Sequence, residues 1–204
     1  IDVEDFRKNR LERISLKNVK KDINYVMIIS SSAGLWGYNT GDTIKFTAIN
    51  PYRIIVTGRL KQSLSAFGEH VIVKEVENAI EQASLKTGNI VVEFTVVPRF
   101  KSKNLGACHE WFIEFEGNIN EINNFKSLLD YELQKQNKYY KDLIDGKIID
   151  KLIIRKIIKG GFKKYMSSIG KLGGQNKVPK IADNRDIANR LKKLNLIEAP
   201  KINY

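Results

Sequence analysis

Gly58-Arg59-Leu60-Lys61-Gln62-Ser63-Leu64-Ser65-Ala66-Phe67-Gly68-Glu69 marks where the chain changes character. Upstream of it the pattern is strand-like. Tyr52 to Thr57 reads as a strand, Asn50-Pro51 as a turn, and Thr43 to Ala48 alternates polar and apolar residues as a half-buried strand does. Ile23 to Ser30 is rich in Val and Ile and is broken by Ser30-Ser31-Ser32-Ala33-Gly34. Asp2 to Lys21 is highly charged and reads as a short helix and loop. Downstream the apolar period lengthens. Val73, Val76, Ile80 and Ala83 mark one face of a helix within Val71 to Thr87, and Gly88 ends it. Ile90 to Phe100 and His109 to Glu116 are two strands joined by the polar loop Lys101 to Gly106. Ile122, Phe125, Leu129 and Leu133 share a helical face within Asn120 to Gln136. Lys151 to Ile158 is a strand, Gly161 to Ile169 a short helix and Gly170 to Val178 a glycine-rich loop, and Asp183 is the expected cap of a last helix to Leu194.

The expected class is α+β, with a boundary near Lys61. Residues 1–60 hold strands without an adequate core and read as the β-rich tail of a larger N-terminal domain. Residues 61–204 hold a β-α-β-β-α unit with further elements, enough to fold alone as a small mixed α+β domain. The chain opens on Ile1 rather than Met and is read as part of something longer.

The 204 residues are 42% apolar and 28% charged, a globular composition. No apolar run has the length of a membrane span, and no signal peptide is recognisable. A single cysteine, Cys108, excludes an internal disulfide and fits a reducing cytoplasm. The formal charge of +12 is uneven: from Lys151 to Tyr204 there are fourteen Lys/Arg against three Asp/Glu, a difference of +11. Such a field attracts nucleic acid, anionic lipid or polyphosphate ligands. It equally suits a solvated lysine-rich surface, because no aromatics interleave with the basic residues as single-strand binders require.

Few residues suggest chemistry. Asp42 follows Gly41 in Tyr38-Asn39-Thr40-Gly41-Asp42, read as a turn between two strands. Its carboxylate can accept two hydrogen bonds from the vicinal hydroxyls of a ribose, or make a simple Asx turn. Arg59 ends the next strand, where a guanidinium reaches a sugar oxygen, a phosphate or a surface carboxylate. Lys177 stands in Gly173-Gly174-Gln175-Asn176-Lys177-Val178-Pro179, where its ammonium could neutralise charge developing on a phosphate, or be one more solvated lysine. The spacing is not that of a Walker loop. His109-Glu110 lacks a second histidine at metal-ligand spacing, so His109 reads as a strand or core residue and no metal site is expected.

The chain resembles the C-terminal part of the auxin-responsive-promoter (Gretchen Hagen) family of acyl-acid amido synthetases, in its bacterial branch. The resemblance runs from about residue 15 to residue 190. It is carried by Ala33-Gly34-Leu35-Trp36, Tyr38, Gly41-Asp42-Thr43, Asn50-Pro51-Tyr52-Arg53, Thr57-Gly58-Arg59, Ala66-Phe67-Gly68-Glu69, His109-Glu110-Trp111, Gly170-Lys171-Leu172-Gly173-Gly174-Gln175 and Lys177-Val178-Pro179. The resemblance implies membership of the adenylate-forming superfamily. It implies a reaction in which ATP, with Mg2+, and a carboxylic acid give an acyl-adenylate, whose acyl group passes to an amino-acid amine with release of AMP. It makes Asp42, Arg59 and Tyr38 nucleotide-binding. Lys61 becomes the hinge of a mobile C-terminal lid, and Phe67, Gly68 and Glu69 a loop presented after the lid swings. Lys177 becomes the catalytic lysine that bridges acid and α-phosphate. Relatives usually carry Arg before the Tyr of the Tyr-x-x-Gly-Asp stretch, where this chain has Gly37. The phosphate loop and acid pocket belong to the N-terminal domain, so the chain alone is expected to be inactive. The alternatives are a CoA ligase and a non-catalytic basic module that binds nucleic acid.

Overall fold

Val- and Ile-rich runs between Gly and Pro turns become strands, and the longer apolar periods beyond residue 70 become helices. The computed structural model describes residues 1–7, 10–59, 63–103, 105–119, 121–171, 173 and 176–199. They form two compact units, Ile1–Lys61 and Gln62–Tyr204. The α+β class expected from the sequence is the one observed.

The first unit contains helix α1 (Val3–Arg7), a 3-10 turn at Leu16–Asn18 and strands β1 (Asn24–Ile29), β2 (Tyr38–Ile49) and β3 (Tyr52–Arg59). The strands form one antiparallel sheet in the order β1-β2-β3. β2 and β3 are joined by a tight hairpin at Asn50-Pro51, whose peptide bond is cis. The expected turn at Tyr38 to Asp42 is instead the first part of β2. The Asn39 and Thr40 side chains accept from the backbone N–H groups of Gly41 and Asp42, at 2.8 and 3.1 Å, so the stretch bulges without leaving the sheet. Two small apolar clusters support this sheet. One centres on Ile1, Val3 and Val26, the other on Tyr25, Ile44 and Phe46. On the outer strand β3, Ile54, Ile55 and Val56 are exposed.

The second unit begins with a small hairpin, β4 (Ser63–Leu64) and β5 (Val71–Ile72), leading into α2 (Val73–Thr87). Val76, Ala79, Ile80 and Ala83 bury one face of α2. Its start is held by the Glu75 carboxylate, which accepts from the Ile72 N–H at 3.0 Å. Gly88 at φ 71° closes it. Then come β6 (Ile90–Arg99), β7 (Cys108–Glu116), α3 (Ile122–Gln136), α4 (Lys138–Asp145), β8 (Ile153–Ile157), α5 (Gly161–Ser168) and α6 (Asp186–Lys193). The sheet order is β6-β7-β8, with β6 antiparallel and β8 parallel to β7. Short bridges from Ile181 to Val96 and from Ile197 to Ile157 widen it at both edges.

This sheet is packed on both faces, which is why β7 is buried along nearly its whole length. Trp111, Ile113 and Phe115 join α2, α3 and Tyr140 in the larger core. Phe112 joins α5, α6, Val178 and Leu196 in the other.

Two expectations change here. α6 begins at Asp186 with Arg185 at its N-cap, not at a cap on Asp183. Asn184 accepts from the Asp186 N–H at 3.0 Å instead, and Arg185 turns inward to Glu110. Helix α4 was not expected, because Tyr140 is its one buried residue; Asn137 caps it by accepting from the Tyr140 N–H at 2.8 Å. Among the described residues, no helix is long and apolar enough to cross a membrane.

Candidate functional site

In the first unit, the β2-β3 register sets Asp42 directly opposite Arg59 and Thr43 opposite Gly58. A register shift follows at once, and Thr57 donates its hydroxyl to Thr43 at 3.0 Å. This hydrogen bond joins the two strands beside the Asp42–Arg59 pair. Gly41, at φ 76°, supplies the backbone geometry of the bulge before Asp42. Tyr38 starts the same strand, paired with Ile29, and its ring is exposed. The three residues expected to hold a nucleotide thus lie on adjacent strands at one end of a single sheet. Gly37, at φ 58°, lies against Arg13: a β-carbon there would sit 2.7 Å from the Arg13 guanidinium. A guanidinium is therefore present beside Gly37, supplied by a different part of the chain.

In the second unit, Phe67, Gly68 and Glu69 lie in the turn between β4 and β5, anchored on either side by Leu64 and Val71, both fully buried. Gly68 is exposed at φ 96°, and its N–H donates to the Ser65 carbonyl at 3.3 Å. Glu69 turns inward. One carboxylate oxygen accepts from the Phe67 N–H at 2.8 Å, and the other lies 2.8 Å from Nε2 of His109. Both side chains are fully buried, and the His109 ring stacks on Tyr140 at 4.8 Å. The expectation that His109 is a core histidine holds; its pairing with Glu69, 40 residues away, carried no sequence signal. The Lys61 hinge lies outside the described residues, as do Leu172, Gly174 and Gln175 of the glycine-rich loop.

Lys177 is exposed. The chain directly after it is fixed. Val178 enters the smaller core of the unit, the Pro179 carbonyl accepts from the Thr95 hydroxyl at 2.7 Å, and the Lys180 carbonyl accepts from the Val96 N–H at 2.9 Å. The lysine therefore stands at the end of a tethered segment.

The sequence gives no sign of which partners the acidic residues of β7 take. Glu110 is buried and bridges Arg155 at 2.9 Å and Arg185 at 2.6 Å. Burial alone would push its carboxyl up, but these two guanidinium partners outweigh that and hold it below the ordinary carboxylate range. Glu114 accepts from the N–H groups of Gly160 at 2.6 Å and Phe162 at 3.2 Å, at the start of α5. An acidic residue inside an apolar strand signals only that partners exist, since a buried charge requires them. Burial pushes the Cys108 thiol up to about 11, so it is not a nucleophile at neutral pH. Among the described residues, no cluster of three or more His, Cys, Asp or Glu could hold a metal ion.

The two parts of the chain match two models of one family. Residues 1–59 match the GH3 family central domain, and residues 74–186 match the GH3 family C-terminal domain. The chain belongs to the GH3 family. Among solved structures it is similar to the GH3.15 acyl acid amido synthetase, with a TM-score of 0.67 and 20% identity over 91% of this chain. A second solved structure, AtGH3.15 acyl acid amido synthetase in complex with 2,4-DB, gives a TM-score of 0.66 and 19% identity over the same share. At these identities the likeness establishes the fold. The chain spans 36% and 35% of the lengths of those two proteins. No curated protein matches the sequence.

Proposed function

We propose that the chain is the C-terminal part of an ATP-dependent acyl-acid amido synthetase, which adenylates a carboxylic acid and transfers the acyl group to an amino-acid amine. The observation that carries this reading is the pairing of Asp42 with Arg59 across two adjacent strands, in a chain whose both halves match the GH3 family. The carboxylate holds the ribose hydroxyls of ATP or AMP, and the guanidinium holds the ribose or the phosphate. Tyr38, on the same strand as Asp42, belongs to this nucleotide site. Lys177 bridges the acid and the α-phosphate, where charge develops as the adenylate forms. Lys61 is the pivot about which the second unit swings between half-reactions, so that different groups meet one carbonyl in turn. Magnesium enters with the nucleotide, held chiefly by its phosphates, as is usual for this ion.

The exposed apolar side chains of the first unit, Trp36 and Ile54 to Val56 among them, suit burial against a preceding N-terminal domain that supplies the phosphate loop and the acid pocket. The chain by itself is then inactive. The test uses the full-length protein. AMP release should depend on both a carboxylic acid and an amino acid, and an amide should be the product. Lys177→Ala should suppress pyrophosphate release at least about tenfold while sparing the use of a preformed acyl-adenylate. Equal loss of both steps would remove its assigned role, and a thioester product with CoA would make the protein a CoA ligase.

Part of the basic C-terminal quarter serves the fold. Arg155 and Arg185 serve Glu110, Lys180 pairs with Glu93, Lys156 pairs with Glu198, and Arg190 donates to the Ser168 carbonyl. Five of the fourteen basic residues of that quarter are thus tied into the fold.

A further inference from the structure

The turn between β4 and β5 holds two residues in the left-handed region within three positions, Gly68 at φ 96° and His70 at φ 50°. Histidine adopts that backbone rarely, and such strain persists only where the surroundings over-determine it. Here they do. Nδ1 of His70 lies 2.6 Å from the Ser65 hydroxyl, and its ring meets Tyr139 edge-on. Beneath the turn, Glu69 reaches from the Phe67 N–H to His109 on β7. The His109 ring stacks with Tyr140 and with Phe67, with centroids at 4.8 and 6.3 Å. Gly68 is the exposed point of the turn, and a β-carbon there would meet nothing within 4 Å. Glycine is therefore required by the backbone and not by crowding.

The pair is a poor device for stability alone. A fully buried carboxylate and imidazole gain little over apolar side chains of the same size. Among the described residues, Nδ1 of His109 is also buried without a hydrogen-bond partner, a cost that native cores seldom carry. What it does achieve is geometric: it ties one peptide of an exposed turn to the central strand of the sheet. We infer that Glu69 and His109 are positioning residues, a buried clamp that fixes the Ala66–Phe67 peptide, and with it the turn at Gly68, in its presented conformation, and that amide synthesis depends on that conformation. The second half of this inference rests on the reaction proposed above; the clamp itself does not.

Two substitutions at one position separate clamping from packing. His109→Gln places an amide N–H near Nε2 and can still donate to Glu69, but gives up the ring stacking. His109→Phe keeps the stacking and gives up the donor. In the 204-residue chain, amide hydrogen exchange at Phe67 and Gly68 should be roughly tenfold faster or more in His109→Phe than in the wild type. His109→Gln should stay close to the wild type. In the full-length enzyme, kcat for amide formation should fall about tenfold or more in His109→Phe, with the KM values for ATP and acid within about twofold, and His109→Gln should restore most of it.

Unchanged exchange in His109→Phe, or greater loss in His109→Gln than in His109→Phe, overturns the clamp in favour of simple packing. Faster exchange with an unchanged kcat overturns the catalytic half. A wild-type enzyme that forms no amide overturns the proposed reaction and that half with it, while the exchange order still decides the clamp. Should His109→Phe not fold, Glu69→Leu removes the clamp from the turn side and must give the same faster exchange and the same loss of kcat.

Discussion

Glu110 shows how much one buried charge can organise. Its two oxygens are divided between Arg155 on β8 and Arg185 at the start of α6, and Arg185 also donates to the Pro98 carbonyl on β6 at 2.6 Å. Three strands and a helix start thus meet at one carboxylate. Because its folded-state titration lies below the ordinary carboxylate range, the ionised form is favoured by folding. Its contribution is fully present above the unfolded carboxylate range and is lost as pH falls through the lower, folded value. Glu110→Gln should therefore cost about 2 kcal/mol at neutral pH, where it removes charge-assisted hydrogen bonds. Its stability should also fall less steeply than that of the wild type between neutral pH and the low end of the carboxylate range. Urea unfolding of both proteins across that range checks this; parallel pH profiles would mean that the carboxylate is not what titrates.

At the scale of elements, α5 is an eight-residue helix that starts at Gly161 with no cap from its own sequence. Glu114 on β7 supplies one from outside, placing a carboxylate on the Gly160 and Phe162 N–H groups, where the helix dipole also favours negative charge. Glu114→Gln should cost roughly 1–2 kcal/mol and loosen this end of α5 first, because an N-cap is worth about that much. Exchange of the Gly160 and Phe162 amides, measured against that of α2, checks it; equal change in both helices would point to a general loss of packing. The same helix marks where the sequence stops being legible. α2 and α3 could be read because their apolar residues repeat at helical spacing and their ends carry local signals such as Gly88. The cap of α5, the Arg185–Glu110 contact beside α6 and the Glu69–His109 pair could not, because each depends on a partner at least 40 residues away. In the stretch from Tyr38 to Asp42, the residue types were legible, but the sequence reads as a turn what the structure shows to be a bulge within β2. A Gly-Asp pair suits both, and only strand pairing separates them.

At the scale of the molecule, the two units differ sharply in what supports them. Among the described residues, the first has buried clusters of three residues each. The second has one cluster of eighteen and one of eleven. A domain of about 60 residues buries only about 60% of the surface its unfolded chain exposes, and is marginal for that reason. The first unit should therefore unfold at lower urea than the second, and the whole chain should depart from two-state behaviour. The two tryptophans allow this to be seen. Trp36 in the first unit is 86% exposed, whereas Trp111 in the second is fully buried. Unfolding shifts the emission of a buried indole and barely changes that of one already in water. Tryptophan fluorescence should therefore follow the second unit, while far-ultraviolet circular dichroism follows both and begins to change earlier. Trp111→Phe should remove most of the fluorescence transition and leave the early part of the dichroism curve in place. Coincident curves for the wild type would mean that the units unfold as one.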